Sequence, residues 1–258
     1  MRISGAAGKW QCDKIDSGSN SGLGKYASLD LNGSDQPRIA YYDETNHILK
    51  YAQKGGSGLN CGPSNSWGCR GIEPATDTGK FASLQVNKTG SEIPKIAYYN
   101  ATTGKLKYAR RVGSGGNCAY SSITLQWEWQ CDTIDDMGTG LGEAGVSLAV
   151  DASDNPYIAY MQAPGGLNAN RLKIARPIGV LGLLIGNCGP TGGLFNLWQC
   201  DTIDIGGPYT DEAAFAAIAL NSAGLASIAY YESDTYYSTG YLKIAYKRLQ
   251  LFLPLILR

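Results

Sequence analysis

The sequence predicts an all-β chain: a four-bladed β-propeller of four-stranded antiparallel blades. Three observations carry the prediction. A tryptophan-led segment recurs four times, as Trp10-Gln-Cys-Asp-Lys-Ile15, Trp67-Gly-Cys-Arg-Gly-Ile72, Trp129-Gln-Cys-Asp-Thr-Ile134 and Trp198-Gln-Cys-Asp-Thr-Ile203. Three further short apolar motifs recur in a fixed order between these segments, with period-two alternation and no sustained helical stripe. The composition fits, with 34 glycines and 17 tyrosines among 258 residues and only 17% charged residues. Repeated meanders of this size identify a propeller.

The first strand of each blade is Ala27-Ser-Leu-Asp-Leu31, Ala82-Ser-Leu-Gln-Val86, Val146-Ser-Leu-Ala-Val150 or Ala216-Ala-Ile-Ala-Leu220, whose small residues suit a crowded axis. Turn formers such as Asn32-Gly-Ser-Asp-Gln-Pro37 lead to a second strand containing Ile-Ala-Tyr, at Ile39, Ile96, Ile158 and Ile228. A second hairpin leads to the third strand, Leu49-Lys-Tyr-Ala52, Leu106-Lys-Tyr-Ala109, Leu172-Lys-Ile-Ala175 or Leu242-Lys-Ile-Ala245, and the tryptophan strand follows. Residues 1–258 are read as one propeller domain, with repeats at about 10–52, 67–109, 129–175 and 198–245 and an apolar tail at 249–258. Because the chain opens on a tryptophan strand and its last repeat ends on a third strand, residues 10–16 are expected to close the ring as the outermost strand of the last blade. Closure would remove exposed sheet edges.

Six of seven cysteines form a pattern. Cys61, Cys118 and Cys188 each follow an asparagine, and Cys69, Cys131 and Cys200 each lie two residues after a blade tryptophan. Pairing Cys61 with Cys69, Cys118 with Cys131 and Cys188 with Cys200 staples the connection before each tryptophan strand, and implies an oxidising compartment. Zinc is disfavoured, since each repeat supplies one cysteine pair with no CxxC spacing or nearby histidine. Cys12 is left over, as an unpaired thiol or an intermolecular one, because residues 247–258 hold no cysteine to match it. No apolar leader is visible at residues 1–10, so any leader is expected to lie outside this chain. The tail at 249–258, interrupted by Pro254, is too short to span a bilayer. Sequons at Asn32, Asn87 and Asn100 fall in expected turns and are candidate glycosylation sites.

Lys+Arg and Asp+Glu are both 22, so no charge imbalance favours nucleic acid. A single histidine, His47 in a hairpin, leaves no His-based metal site or secure triad. Asp135 and Asp204 belong to a repeated segment, whereas a catalytic centre is normally singular, and neither cofactor nor metal is expected. Asp30 and Asp35 faintly suggest a calcium loop, but the equivalent turns lack the carboxylates and Asx-turn chemistry accounts for them. The candidate ligand-binding residues are the second-strand aromatics Tyr42, Tyr99 and Tyr231 and the third-strand lysines Lys50, Lys107, Lys173 and Lys243. Aromatic platforms beside polar groups suit a pyranose, with its apolar C–H face and hydroxyl rim, and repetition supplies multivalency. Core packing and solvated lysine stems are the plainer roles for the same residues.

Through the blade pattern Ala-Ser-Leu…Ile-Ala-Tyr-Tyr-Asp…Leu-Lys-Tyr-Ala, residues 10–248 resemble secreted bacterial and archaeal repeat proteins. The Trp-x-Cys and Asn-Cys motifs depart from that pattern. The resemblance implies an extracellular propeller without assigned activity. The expected function is a non-catalytic extracellular binding or adhesion module, with glycans or another surface polymer as ligand. The alternative is a structural subunit of an extracellular assembly, self-associating through Cys12 and the apolar tail.

Overall fold

The computed structural model describes residues 10–18, 22–56, 58–73, 76–88, 92–142, 145–165, 170–178, 186–192, 195–206, 210–234 and 237–247. Four antiparallel sheets form a four-bladed β-propeller. The first blade contains β1 (Leu23–Leu31), β2 (Pro37–Asp43), β3 (Ile48–Lys54) and β4 (Trp67–Gly71) in sequential order. The second contains β5 (Thr78–Val86), β6 (Pro94–Asn100), β7 (Lys105–Arg111), β8 (Cys118–Ser121) and β9 (Gln126–Asp136), with β8 outside β9. The third contains β10 (Val146–Val150), β11 (Pro156–Gln162), β12 (Arg171–Pro177), β13 (Gly186–Gly192), β14 (Phe195–Asn196) and β15 (Trp198–Ile205), ordered β10-β11-β12-β15-β13-β14. The fourth contains β16 (Thr210–Leu220), β17 (Ala226–Asp234) and β18 (Thr239–Tyr246).

The outer strands β8 and β13 are additions to the expected four-stranded pattern. Each begins at or near an Asn-Cys motif and folds back on its tryptophan strand. The disulfides Cys61–Cys69, Cys118–Cys131 and Cys188–Cys200 form as the repeats predict. Each staple is completed by a side-chain clamp: Asn60, Asn117 and Asn187 accept from the backbone N–H and donate to the carbonyl of Cys69, Cys131 and Cys200.

The core lies between blades. One apolar cluster joins Leu49, Tyr51 and Ile72 of the first blade region to Leu84, Ile96 and Trp129 of the second. Another joins Leu106 and Tyr108 to Ile158, Leu172 and Trp198, and reaches Ile228 and Tyr230. The small residues let the first strands approach: β1 packs on β5, β5 on β10 and β10 on β16. A serine hydroxyl bonds each of these steps, Leu84 N–H donating to Ser28 at 2.9 Å, Leu148 to Ser83 at 3.0 Å and Ile218 to Ser147 at 3.1 Å.

The fourth junction differs from the sequence expectation. Residues 10–18 form no strand, and among the described residues the last blade has three strands, with β18 at its edge. Among the same residues, no packing comparable to the other three junctions joins the fourth sheet to the first. Leu242 is 86% exposed and Leu29 59%, whereas Leu49 and Leu84, at the matching positions of the first junction, are buried. Ala217 occupies the position of Ser28, Ser83 and Ser147, so it has no hydroxyl to bond Leu29. Gly79 is pinned by the first blade, since a side-chain carbon there would lie 2.6 Å from Leu49 Cα, but the equivalent Gly24 faces open space. The apolar tail and residues 1–9 lie outside the described residues.

Candidate functional site

Each of the first, second and fourth blades has a β-bulge in its innermost strand. Lys25 and Ser28 oppose Tyr42 and Ala40, Lys80 and Ser83 oppose Tyr99 and Ala97, and Ala214 and Ala217 oppose Tyr231 and Ala229. One extra residue is inserted between these pairs, and a second register shift lies just before each, at Leu23/Lys25, Thr78/Lys80 and Glu212/Ala214. Within each bulge an aromatic residue takes a left-handed backbone: Tyr26 at φ 52°, Phe81 at 55° and Phe215 at 57°. That region disfavours bulky side chains and costs about 1–3 kcal/mol per residue, so three repetitions mark a constrained feature.

The bulge aims these rings at the second-strand tyrosines. Tyr26 lies 6.1 Å from Tyr42, Phe81 6.0 Å from Tyr99 and Phe215 6.5 Å from Tyr231, between ring centroids. Tyr26 and Phe81 are also neighbours at 4.8 Å. Tyr26 and Phe81 thus adjoin at the end of the axis where the innermost strands begin, and Phe215 pairs with Tyr231 at the same end of the fourth blade. Tyr42 and Tyr99 are buried, while Tyr26 and Phe215 are 39% and 60% exposed. Charged and polar groups border the first two blades. Lys25 pairs with Glu44 at 2.6 Å and Lys80 with Asp77 at 2.7 Å. The Tyr42 hydroxyl donates to Asp77, and His47 Nδ1 lies 3.0 Å from the same hydroxyl. Burial pushes the Asp77 carboxyl up, but bonds from Lys80 and Tyr42 outweigh it and hold its pKa below the ordinary value.

The four third-strand lysines occupy a different constellation. Six residues after each blade tryptophan stands an acid, which reaches a tyrosine and a lysine of the following blade. Glu73 accepts from Tyr98 at 2.8 Å and pairs with Lys107 at 2.7 Å. Asp135 does the same with Tyr160 and Lys173, and Asp204 with Tyr230 and, at 2.6 Å, Lys243. Asp16 accepts from Tyr41 at 2.6 Å and pairs with Lys50. Lys50, Lys173 and Lys243 also lie over the rings of Tyr41, Tyr160 and Tyr230. Burial and the adjoining carboxylates push the hydroxyls of Tyr41, Tyr98, Tyr160 and Tyr230 above the usual tyrosine pKa. They therefore remain donors, and the arrangement latches one blade to the next.

The structure thus divides the residues singled out by sequence. Tyr42 and Tyr99 lie buried beneath the bulge aromatics, Tyr231 is exposed beside Phe215, and Lys50, Lys107, Lys173 and Lys243 pair with the acids that follow the tryptophan segments. Asn32 is buried, its side-chain amide donating to Glu92, and Asn100 is buried against Thr76; Asn87 is half-buried. Sequence reasoning missed Tyr26, Phe81 and Phe215, although each immediately precedes the Ala of the first-strand motif. The repeated aromatic–Ala step was the available signal; the bulge that turns it outward has no separate sequence mark.

No protein-family model matches the chain, and no curated protein matches it. Among the described residues no group of three or more His, Cys, Asp or Glu is placed to hold a metal ion, and no helix is long and apolar enough to cross a membrane.

Proposed function

We propose that this chain is a non-catalytic extracellular binding module that takes glycans at the bulge aromatics Tyr26, Phe81 and Phe215. The observation that carries this reading is the repeated bulge, which holds three aromatic rings in a strained backbone, two of them beside charged groups. A sugar ring stacks its C–H face on such a platform, while Lys25, Glu44, Lys80 and Asp77 meet its hydroxyls. Bulges that re-aim a side chain concentrate at functional sites. Three intrachain disulfides support an extracellular setting, as does the likeness of the blade motifs to secreted bacterial and archaeal repeat proteins. The acids of the latches are engaged by lysine and tyrosine in every blade, which supports binding rather than hydrolysis.

The test is a glycan array with the protein displayed multivalently. Binding is expected, and Tyr26→Ala with Phe215→Ala should abolish it while leaving the three disulfides and the unfolding midpoint intact. A blank array, or binding indifferent to both substitutions, refutes the reading.

A further inference from the structure

Three third strands, β3, β7 and β12, carry a tryptophan strand on their outer side in one register, in which Ala52, Ala109 and Ala175 oppose Cys69, Cys131 and Cys200. Where a preceding blade is present, its third strand receives the indole: Tyr51 meets Trp129 edge-on at 5.1 Å, and Tyr108 meets Trp198 at 5.2 Å. The next position in this series is Ile174, and among the described residues no indole lies against it. Instead Ile174 lines a cavity of about 450 Å³ between the third and fourth blades, together with Tyr157, Arg176, Ile228, Ala245 and Lys247. Ala245 is the residue that would oppose the cysteine of a tryptophan strand. Among the described residues the fourth blade therefore has an edge strand, β18, and a socket in the place that a tryptophan strand of its own would fill.

The matching strand is present on the opposite side of the open junction. Residues 10–15 read Trp-Gln-Cys-Asp-Lys-Ile, against Trp-Gln-Cys-Asp-Thr-Ile in the second and third blades. Its far end is already seated: Ile15 packs against Tyr41, Ala52 and Trp67 of the first blade, and Asp16 closes the first latch. Its near end is not, and Trp10 is 85% exposed. Among the described residues the fourth junction lacks the first-strand packing of the other three. Here it has also lost the axial hydroxyl through Ala217, and the two complementary surfaces of one chain do not meet. A second molecule carries no such constraint and can reproduce the sealed geometry.

We propose that the fourth blade is a docking site for a second copy of this chain. Residues 10–15 of one copy add antiparallel to β18 of another, with Cys12 opposite Ala245 and the Trp10 indole in the cavity beside Ile174. Main-chain bonds along β18 supply affinity, and the indole sets the register. The contact is heterologous, so it propagates head-to-tail. Cys12 remains a thiol there but becomes buried, as Cys131 and Cys200 are.

Sedimentation velocity and alkylation of Cys12, measured together over a range of protein concentration, test this. The full chain should associate as concentration rises, and alkylation should slow in parallel. Trp10→Ala should weaken association roughly thirtyfold or more, as removal of a central tryptophan anchor does, and leave Cys12 reactive throughout. Ile174→Trp, which fills the socket from within, should also stay monomeric. Mixing the two variants should give a one-to-one pair, because one retains the socket and the other the strand. Peptide mapping of the three disulfides confirms that each variant is folded. A wild-type monomer with reactive Cys12 overturns the proposal. So does a monomer with protected Cys12, which means insertion into its own blade, and so does association that survives Trp10→Ala.

Discussion

Asp135→Ala should be among the most destabilising single substitutions of a polar residue in this protein. Asp135 accepts from both the Tyr160 hydroxyl and the Lys173 ammonium. Tyr160 is wholly buried, and the side chains of Lys173 and Asp135 are only 11% and 17% exposed. Truncation leaves a cation and a hydroxyl in the blade junction without their shared acceptor. Breaking a fully buried pair costs about 3–5 kcal/mol, and the slight solvent access here places the loss near the lower bound, about 3 kcal/mol. For a chain of this size that is a fall of roughly 6–12 °C in Tm. Asp135→Asn keeps an acceptor for Tyr160 but loses the charge, and should cost about half as much. Urea unfolding followed by tryptophan fluorescence reads both, and Lys173→Met completes a double-mutant cycle. The double variant should be less destabilised than the sum of the singles by about 1 kcal/mol or more. If Asp135→Ala falls within about 0.5 kcal/mol of wild type, or the cycle is additive, the latch does not bind the blades.

Replacing Cys118 and Cys131 together by serine opens a link between residues 13 apart in sequence and should lower stability by roughly 3 kcal/mol, read from the urea midpoint under non-reducing conditions. The Cys12→Ser midpoint should match wild type, since Cys12 is exposed and unpaired. Acid should also weaken the fold. Burial raises the Asp16 and Asp204 carboxyls, but their lysine and tyrosine donors outweigh it and hold both below the ordinary 3.8. A carboxyl depressed in the folded state contributes its stability above the unfolded value and loses it as pH falls through the folded one. The urea midpoint should therefore decline below about pH 4, less steeply in Asp204→Asn, and a profile flat to about pH 2 would contradict this.

Repetition made the fold legible. Four copies of each strand motif identified blade order, and paired cysteines at fixed offsets identified the staples. What repetition concealed is the difference between junctions. The lysines of the third strand looked like ligand anchors because they recur, yet each is engaged by an acid and three of them latch one blade to the next. The acids of Lys107, Lys173 and Lys243 follow the tryptophan strand of the preceding blade, a partnership that strand order reveals and motif spacing alone does not. The expected closure by residues 10–16 followed from the repeat phase, which fixes the strand a segment matches and does not itself bring that segment to its place; residues 10–16 instead seat Ile15 and Asp16 on the first blade. The bulge aromatics were hidden for a local reason, since the register shifts that place Tyr26, Phe81 and Phe215 carry no mark of their own in the sequence.

Positions where the repeat breaks are therefore as informative as those where it holds. Gly145 stands where Tyr26, Phe81 and Phe215 stand in the other blades, and the break is forced. A side-chain carbon there would lie 2.3 Å from the backbone nitrogen of Ala216 and 2.9 Å from that of Phe215. The third and fourth blades approach so closely at the axis that only glycine fits, so the bulge aromatics number three. Ala217, two residues on, is the other break, and it falls on the junction that stays open. Both departures lie in or against the first strand of the fourth blade. One strand thus carries Phe215 and also withholds the bond that would help seal the fourth blade to the first, which puts one ring of the proposed platform and the proposed docking edge on the same blade while leaving each with its own residues.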